Sequence, residues 1–276
     1  MTDTSTKLKL STWLWVLATI VMLVAAVYQR RTGPTYPLRG QFEAGGELQK
    51  FRLPRSSENT FDARVTIPDP GQTARLLWRR YPTNDPFTVV FMAPELDGEK
   101  KILVANIPSQ PVAGKVEYQI EIANSSLPTD GETVILRYKG HVSTILLISH
   151  VLIIFSGMLV STRAGLGAVF RMEEKKLPMV AISLIFVGGL VLGAFVQKAA
   201  FGAYWTGWPL GTDLTDNKTL FMFGGWLVAC SLALFTKFRH LPVVLASVLT
   251  LIVYIIPHSL RGSQLDYQQE SIQVER

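Results

Sequence analysis

The sequence predicts a membrane all-α bundle of about five transmembrane helices with an inserted all-β, sandwich-like periplasmic domain. Two observations carry this reading. Apolar runs long enough to cross a bilayer, about 20 residues each, occur once near the start and repeatedly after residue 140. The stretch between them is polar, rich in turn signals and alternating in hydrophobicity. Of the 276 residues 48% are hydrophobic and 17% charged, so composition alone fits one soluble domain as well as several spans. The uneven distribution along the chain decides between them.

The first apolar run, Thr12 to Tyr28, is flanked by Lys7 and Lys9 before it and by Arg30 and Arg31 after it, with no small-x-small cleavage site. It reads as a signal anchor. Further runs at Val142–Val160, Pro178–Val196, Leu220–Phe235 and Leu241–Pro257 complete the set. The loop Ser161–Leu177, with Arg163, Arg171, Lys175 and Lys176, and the connection holding Lys237, Arg239 and His240 are basic and short, which places both in the cytoplasm. The expected organisation is therefore a cytoplasmic N-terminus with the first span (1–31), a periplasmic β domain (32–140), a four-helix membrane region (141–260) and a periplasmic tail (261–276). A bacterial inner (cytoplasmic) membrane is the expected location.

Between Arg31 and Gly140, Pro-Asp-Pro-Gly, Asp-Gly and Pro-Thr-Asp-Gly signals break the chain into short alternating runs. In Lys115–Ile122 the residues Val116, Tyr118, Ile120 and Ile122 alternate with Lys115, Glu117, Gln119 and Glu121, giving one buried and one wet face. Runs at Gln41–Leu53, Phe61–Ile67, Thr73–Arg80, Phe87–Ala93, Lys100–Asn106 and Glu132–Tyr138 bring the count to about seven strands, the number and spacing of an immunoglobulin-like or fibronectin-like sandwich. A single cysteine, Cys230, excludes an intramolecular disulfide, a cysteine zinc site and a Cys-x-x-Cys-His haem attachment.

Several function classes fall away on motifs. The chain has no Gly-rich phosphate loop, no His-Glu-x-x-His and no Gly-x-Ser-x-Gly, which argues against soluble-type enzymes. The net charge of +6 is spread over loops that flank apolar runs, so the lipid bilayer and other proteins are the expected partners and nucleic acid is not. No apolar run carries Asp, Glu, Lys or Arg near its middle, which argues against a transporter or channel. In the third run Gly188, Gly189 and Gly193 clear one helix face for close packing.

The outer-face loop 197–219 holds the candidate site. Tyr204, Trp205 and Trp208 fit an interfacial aromatic belt, and Thr215 or Asp216 fits a cap of the fourth span. Gly202, Gly207, Gly211 and Asp213 point instead to a shaped loop. By topology His141 and His258 lie at the same outer boundary, His150 points to the other side of its helix and deeper, and His240 is cytoplasmic. The stretch Phe201-Gly202-Ala203-Tyr204-Trp205-Thr206, with Trp208 and Asp213-Leu214-Thr215, resembles the tryptophan-rich outer-face motif of the haem-handling membrane proteins of c-type cytochrome assembly. Gly202 and Trp205 match that pattern, Trp208 is displaced by one, Phe201 replaces the first tryptophan and no aspartate follows Trp208.

The resemblance implies haem b held by His141 and His258 against Tyr204, Trp205 and Trp208, within a respiratory or cytochrome-assembly complex. A metal ion would add Asp213 or Asp216 to the two histidines, a mixed nitrogen and oxygen set. The alternative is a non-catalytic scaffold or accessory subunit whose β domain docks a periplasmic partner.

Overall fold

The computed structural model describes residues 2–44, 46–123, 125–129, 131–172, 175–235, 240–257, 262–269 and 271–274. The chain forms a mixed helix-plus-β fold and divides into two compact units. One comprises 1–33, 142–199 and 203–262, and the other 34–141, 200–202 and 263–276.

The helical unit begins with α1 (Thr2–Thr32) and continues with α2 (Thr144–Val169). Next come α3 (Lys176–Ile185), a π-helical stretch (Phe186–Leu192) and α4 (Gly193–Phe201), then α5 (Leu214–Phe235) and α6 (His240–Ile255). Among the described residues three segments are long and apolar enough to cross a membrane: Leu8–Thr32, Thr144–Val169 and Lys176–Phe201. At 1.5 Å per residue each measures about 38 Å, more than the hydrocarbon core needs. The helix α5 has 22 residues and the shorter α6 has 16.

Small residues let these helices close on one another. Gly165 of α2 faces Ser247 of α6 so closely that a Cβ would come within 2.3 Å of its Oγ. Trp226 of α5 is fully buried and donates its indole N–H to Thr250 Oγ1 of α6 at 2.8 Å. The expected glycine contact is present and has a consequence. A Cβ on Gly188 would lie 2.9 Å from the backbone nitrogen of Ile154, so α2 and the π stretch meet backbone to backbone. At that point His150 Nδ1 donates to Gly188 O at 2.9 Å.

One expectation needs correcting. Helix α2 runs nine residues past Val160, so Arg163 lies within the helix and not in a basic loop. It is 0% exposed, donates from Nη2 to Ser11 Oγ of α1 at 2.9 Å and stacks over Trp15 at 5.4 Å. The guanidinium thus joins α1 to α2, which leaves Arg171, Lys175 and Lys176 as the basic residues of the expected cytoplasmic loop.

The β unit contains more strands than alternation alone reveals. They are β1 (Leu38–Ala44), β2 (Glu47–Leu53), β3 (Ser56–Glu58), β4 (Ala63–Pro68), β5 (Ala74–Arg80), β6 (Thr88–Phe91) and β7 (Ala93–Asp97). Then follow β8 (Lys100–Ile107), β9 (Lys115–Ile122), β10 (Ser125–Leu127) and β11 (Val134–Lys139). Gln41–Leu53 is a hairpin, not one strand, because Gly46 at φ +81° lets the chain reverse. One sheet runs β3-β11-β9-β5-β6 with β10 on β9, and a second runs β4-β8-β7. Their inward residues, among them Val65, Leu76, Ile107, Ile120 and Leu136, join Leu53 of the hairpin in one core. Two buried phenols are satisfied within it. Tyr118 donates to Pro54 O at 2.8 Å, and Tyr138 lies 3.2 and 3.1 Å from Ile107 O and Pro108 O.

The wet face expected for Lys115–Ile122 is partly covered. Glu117 pairs with Arg79 at 2.5 Å and accepts from Thr133 Oγ1 at 2.7 Å. Lys115 is covered by the C-terminal segment, which forms a hairpin of β12 (Ser263–Asp266) and β13 (Ser271–Val274). Gln264 Oε1 accepts from Lys115 Nζ at 2.8 Å, Leu265 N donates to Ala113 O at 2.9 Å and Tyr267 OH donates to Lys115 O at 2.9 Å. Arg80 stacks on the Tyr267 ring at 5.2 Å. The tail is a structural part of the β unit.

Candidate functional site

The loop between α4 and α5 owes its shape to two aspartates. Asp213 stands immediately before α5, and its Oδ1 accepts from Thr215 N at 2.8 Å and Asp216 N at 3.4 Å, so Asp213 is the cap residue. That frees Asp216, one turn on, to face back along the chain. Its Oδ2 accepts from Thr206 N at 2.6 Å, Gly207 N at 3.0 Å, Gln197 Nε2 at 2.9 Å and Thr206 Oγ1 at 3.3 Å. Asn217 completes the closure by accepting from Trp208 N at 2.6 Å.

Glycine is required at two places in this loop. A Cβ on Gly211 would fall 2.3 Å from Thr206 O, and one on Gly207 would fall 2.6 Å from Asp216 Cβ. Both are close approaches to groups that cannot move without breaking the aspartate bonds. Burial raises the Asp216 carboxyl above its ordinary pKa, the Thr206 backbone bond opposes that rise, and the neighbouring Asp213 adds to it.

Two residues beyond Asp216, Lys218 is buried and donates to Ile256 O at 2.8 Å, with Pro257 O at 3.5 Å. Gln29 Nε2 of α1 donates to Tyr254 O at 2.7 Å and Ile256 O at 3.3 Å. The free carbonyls at the end of α6 are therefore capped by side chains from α1 and α5. Sequence reasoning missed Gln29, Gln197, Asn217 and Lys218. Their only local signal is that they are polar residues at the ends of apolar runs.

The loop turns its aromatic residues outward. Trp208 is 68% exposed and Leu210 78%, with Tyr204 also exposed and Trp205 half-buried. The Trp205 indole N–H donates to Trp208 O at 3.0 Å. Tyr204 meets Phe195 edge-on at 5.7 Å between ring centroids and lies beneath Lys198 Nζ at 5.5 Å.

The histidines are distributed differently. His141 belongs to the β unit, where its Nδ1 lies 3.1 Å from Glu58 Oε2. His258 lies outside the described residues. Asp213 and Asp216, the candidate metal ligands, direct one oxygen each at backbone N–H groups. Among the described residues no group of three His, Cys, Asp or Glu side chains comes together to hold a metal ion.

The β unit offers a second surface. Strand β6 is the outermost strand of one sheet, and β7, one residue later, is the outermost strand of the other. The stretch Thr88–Asp97 thus edges both sheets, turning from one to the other at the buried Met92. Phe91 and Leu96, each 71% exposed, and Val89 project from it. No family model, no curated protein and no solved structure matches this chain.

Proposed function

We propose that this chain is an integral membrane protein with its N-terminus in the cytoplasm and its β unit and tail in the periplasm. It serves as a non-catalytic accessory subunit that docks a protein partner through Thr88–Asp97. The observation that carries this reading is the shared edge of the two sheets, with Phe91, Leu96 and Val89 exposed along it. An edge strand offers unpaired backbone groups to an added strand, and alternate side chains supply specificity. Pro94, which lacks an N–H, and the carboxylates Glu95 and Asp97 blunt β7 against pairing with its own kind. Glu95 is held by Arg64 at 2.7 Å.

This docking role takes precedence over haem binding at the outer face. The edge is a complete surface within one unit, whereas the haem reading draws on His141, which is tied to Glu58. The test is native electrophoresis of gently solubilised membranes. Wild-type chain runs in an assembly larger than itself, and the double variant Phe91→Glu, Leu96→Lys runs at the mass of the single chain with unchanged thermal unfolding. A wild-type chain running alone, or a double variant that stays in the full assembly, refutes the reading.

A further inference from the structure

We infer that the loop tip Tyr204–Gly211 is an interfacial anchor, seated where the acyl chains of the outer leaflet meet the headgroups. The inference rests on the membrane embedding proposed above and is independent of the docking edge.

Three observations converge on a lipid occupant. First, the tip, Tyr-Trp-Thr-Gly-Trp-Pro-Leu-Gly, contains no charged residue, and of the two buried carboxylates that follow it Asp216 holds its backbone while Asp213 caps α5. An exposed Trp208 and Leu210 on a fixed loop form an apolar projection with an amphipathic ring at its centre. Second, that projection continues the apolar surface of α4, because Tyr204 packs edge-on against Phe195, itself exposed on that helix. Third, Lys198 Nζ lies over the ring of the same tyrosine, 5.5 Å from its centroid. A ring that meets both a phenylalanine and an ammonium marks the depth at which hydrocarbon gives way to charge, the level that tyrosine, tryptophan and snorkelling lysine occupy in membranes.

The rigidity matters to the function. A flexible loop with these residues would gain little on insertion, because ordering it would offset the transfer of the rings. Here the aspartate bonds order the tip beforehand. The depth of α4 and α5 in the bilayer is then set by the loop.

The test uses the full chain in lipid nanodiscs and reads tryptophan fluorescence. Lipids brominated near the headgroup end of the acyl chain quench wild-type protein more than lipids brominated at the chain terminus. Trp208→Phe loses that shallow component while its thermal unfolding is unchanged. Leu210→Asp retains Trp208 and draws it towards water, so quenching by iodide rises and quenching by the shallow bromolipid falls. Three results would overturn the inference. Quenching of Trp208 by iodide and not by bromolipid in wild-type protein places the tip in water. Protection from both quenchers places it under another protein. Quenching by one equivalent of added haemin, with a shifted Soret band that Trp208→Phe weakens, makes it a haem-binding face.

Discussion

Replacing Asp216 tests whether the loop between α4 and α5 is held as its hydrogen bonds imply. The carboxylate is buried, and three of its donors lie within 3.0 Å: Thr206 N at 2.6 Å, Gln197 Nε2 at 2.9 Å and Gly207 N at 3.0 Å. Asp216→Ala removes the shared acceptor and leaves these donors without a partner. Each unsatisfied buried donor costs about 1–3 kcal/mol, and water reaching the half-buried Thr206 lowers the total, so a loss of about 3 kcal/mol is expected. That corresponds to local opening about a hundredfold more frequent. Hydrogen exchange reads it directly, as faster exchange at the amides of Thr206 and Gly207 with little change in β9. Asp216→Asn can set its one acceptor oxygen where Oδ2 stands, keeping these bonds without the charge, so it falls between. If Asp216→Ala leaves exchange at Thr206 and Gly207 within about twofold of wild type, the carboxylate is not what holds the loop.

Four further outcomes follow from the same geometry. Because burial raises the Asp216 pKa in the folded state, that state binds the proton more tightly, and this group adds stability as pH falls from the raised value to the ordinary aspartate value. Asp216→Asn should lack that component in unfolding curves measured across the window, and a variant with the wild-type pH dependence would refute the assignment. Gly188→Ala brings a Cβ to within 2.9 Å of the Ile154 backbone, which cannot rotate away, so it should destabilise the helical unit by about 1–3 kcal/mol in detergent unfolding. Tyr267→Phe removes the bond to Lys115 O and should cost the β unit about 1 kcal/mol, while the wild-type phenol, pushed up to about 12 by burial, should stay neutral to strongly alkaline pH by ultraviolet titration. A reporter after Lys175 should read cytoplasmic and one after Gly98 periplasmic; the same side for both would overturn the orientation.

Much of the architecture was legible because its signals are local. Every apolar run from Thr12 onward falls on helix over most of its length, and Val116, Tyr118, Ile120 and Ile122 are buried as their alternation requires. The failures have a common cause. Arg163 looked like a loop residue because a charge ends a hydropathy run, but Ser11 and Trp15, about 150 residues earlier, accommodate it inside a helix. Asp216 looked like a cap, but capping depends on where the helix starts, and Asp213 holds that position. The bond from Gln197 to Asp216 joins residues 19 apart whose meeting needs the loop already folded. The hairpin hidden in Gln41–Leu53 could have been found, since its Gly-Gly pair is a turn signal.

The C-terminal hairpin sets an order on assembly. Lys115 waits for Gln264, which follows it by 149 residues along the chain, with helices α2 to α6 between them. During synthesis at about 5–20 residues per second, the β unit spends on the order of ten seconds with Ala113 and the Lys115 ammonium uncovered while those helices are made and placed. The strands can pair in that interval, but the unit reaches its final form only after α6 has been made and the hairpin that follows it has formed. Under the membrane topology proposed above, a chain whose later helices insert in the wrong direction would carry the hairpin to the opposite side of the membrane. Its β unit would then stay open along β9, so on that topology the finished contact requires the helices between Lys115 and Gln264 to be threaded in the proposed direction.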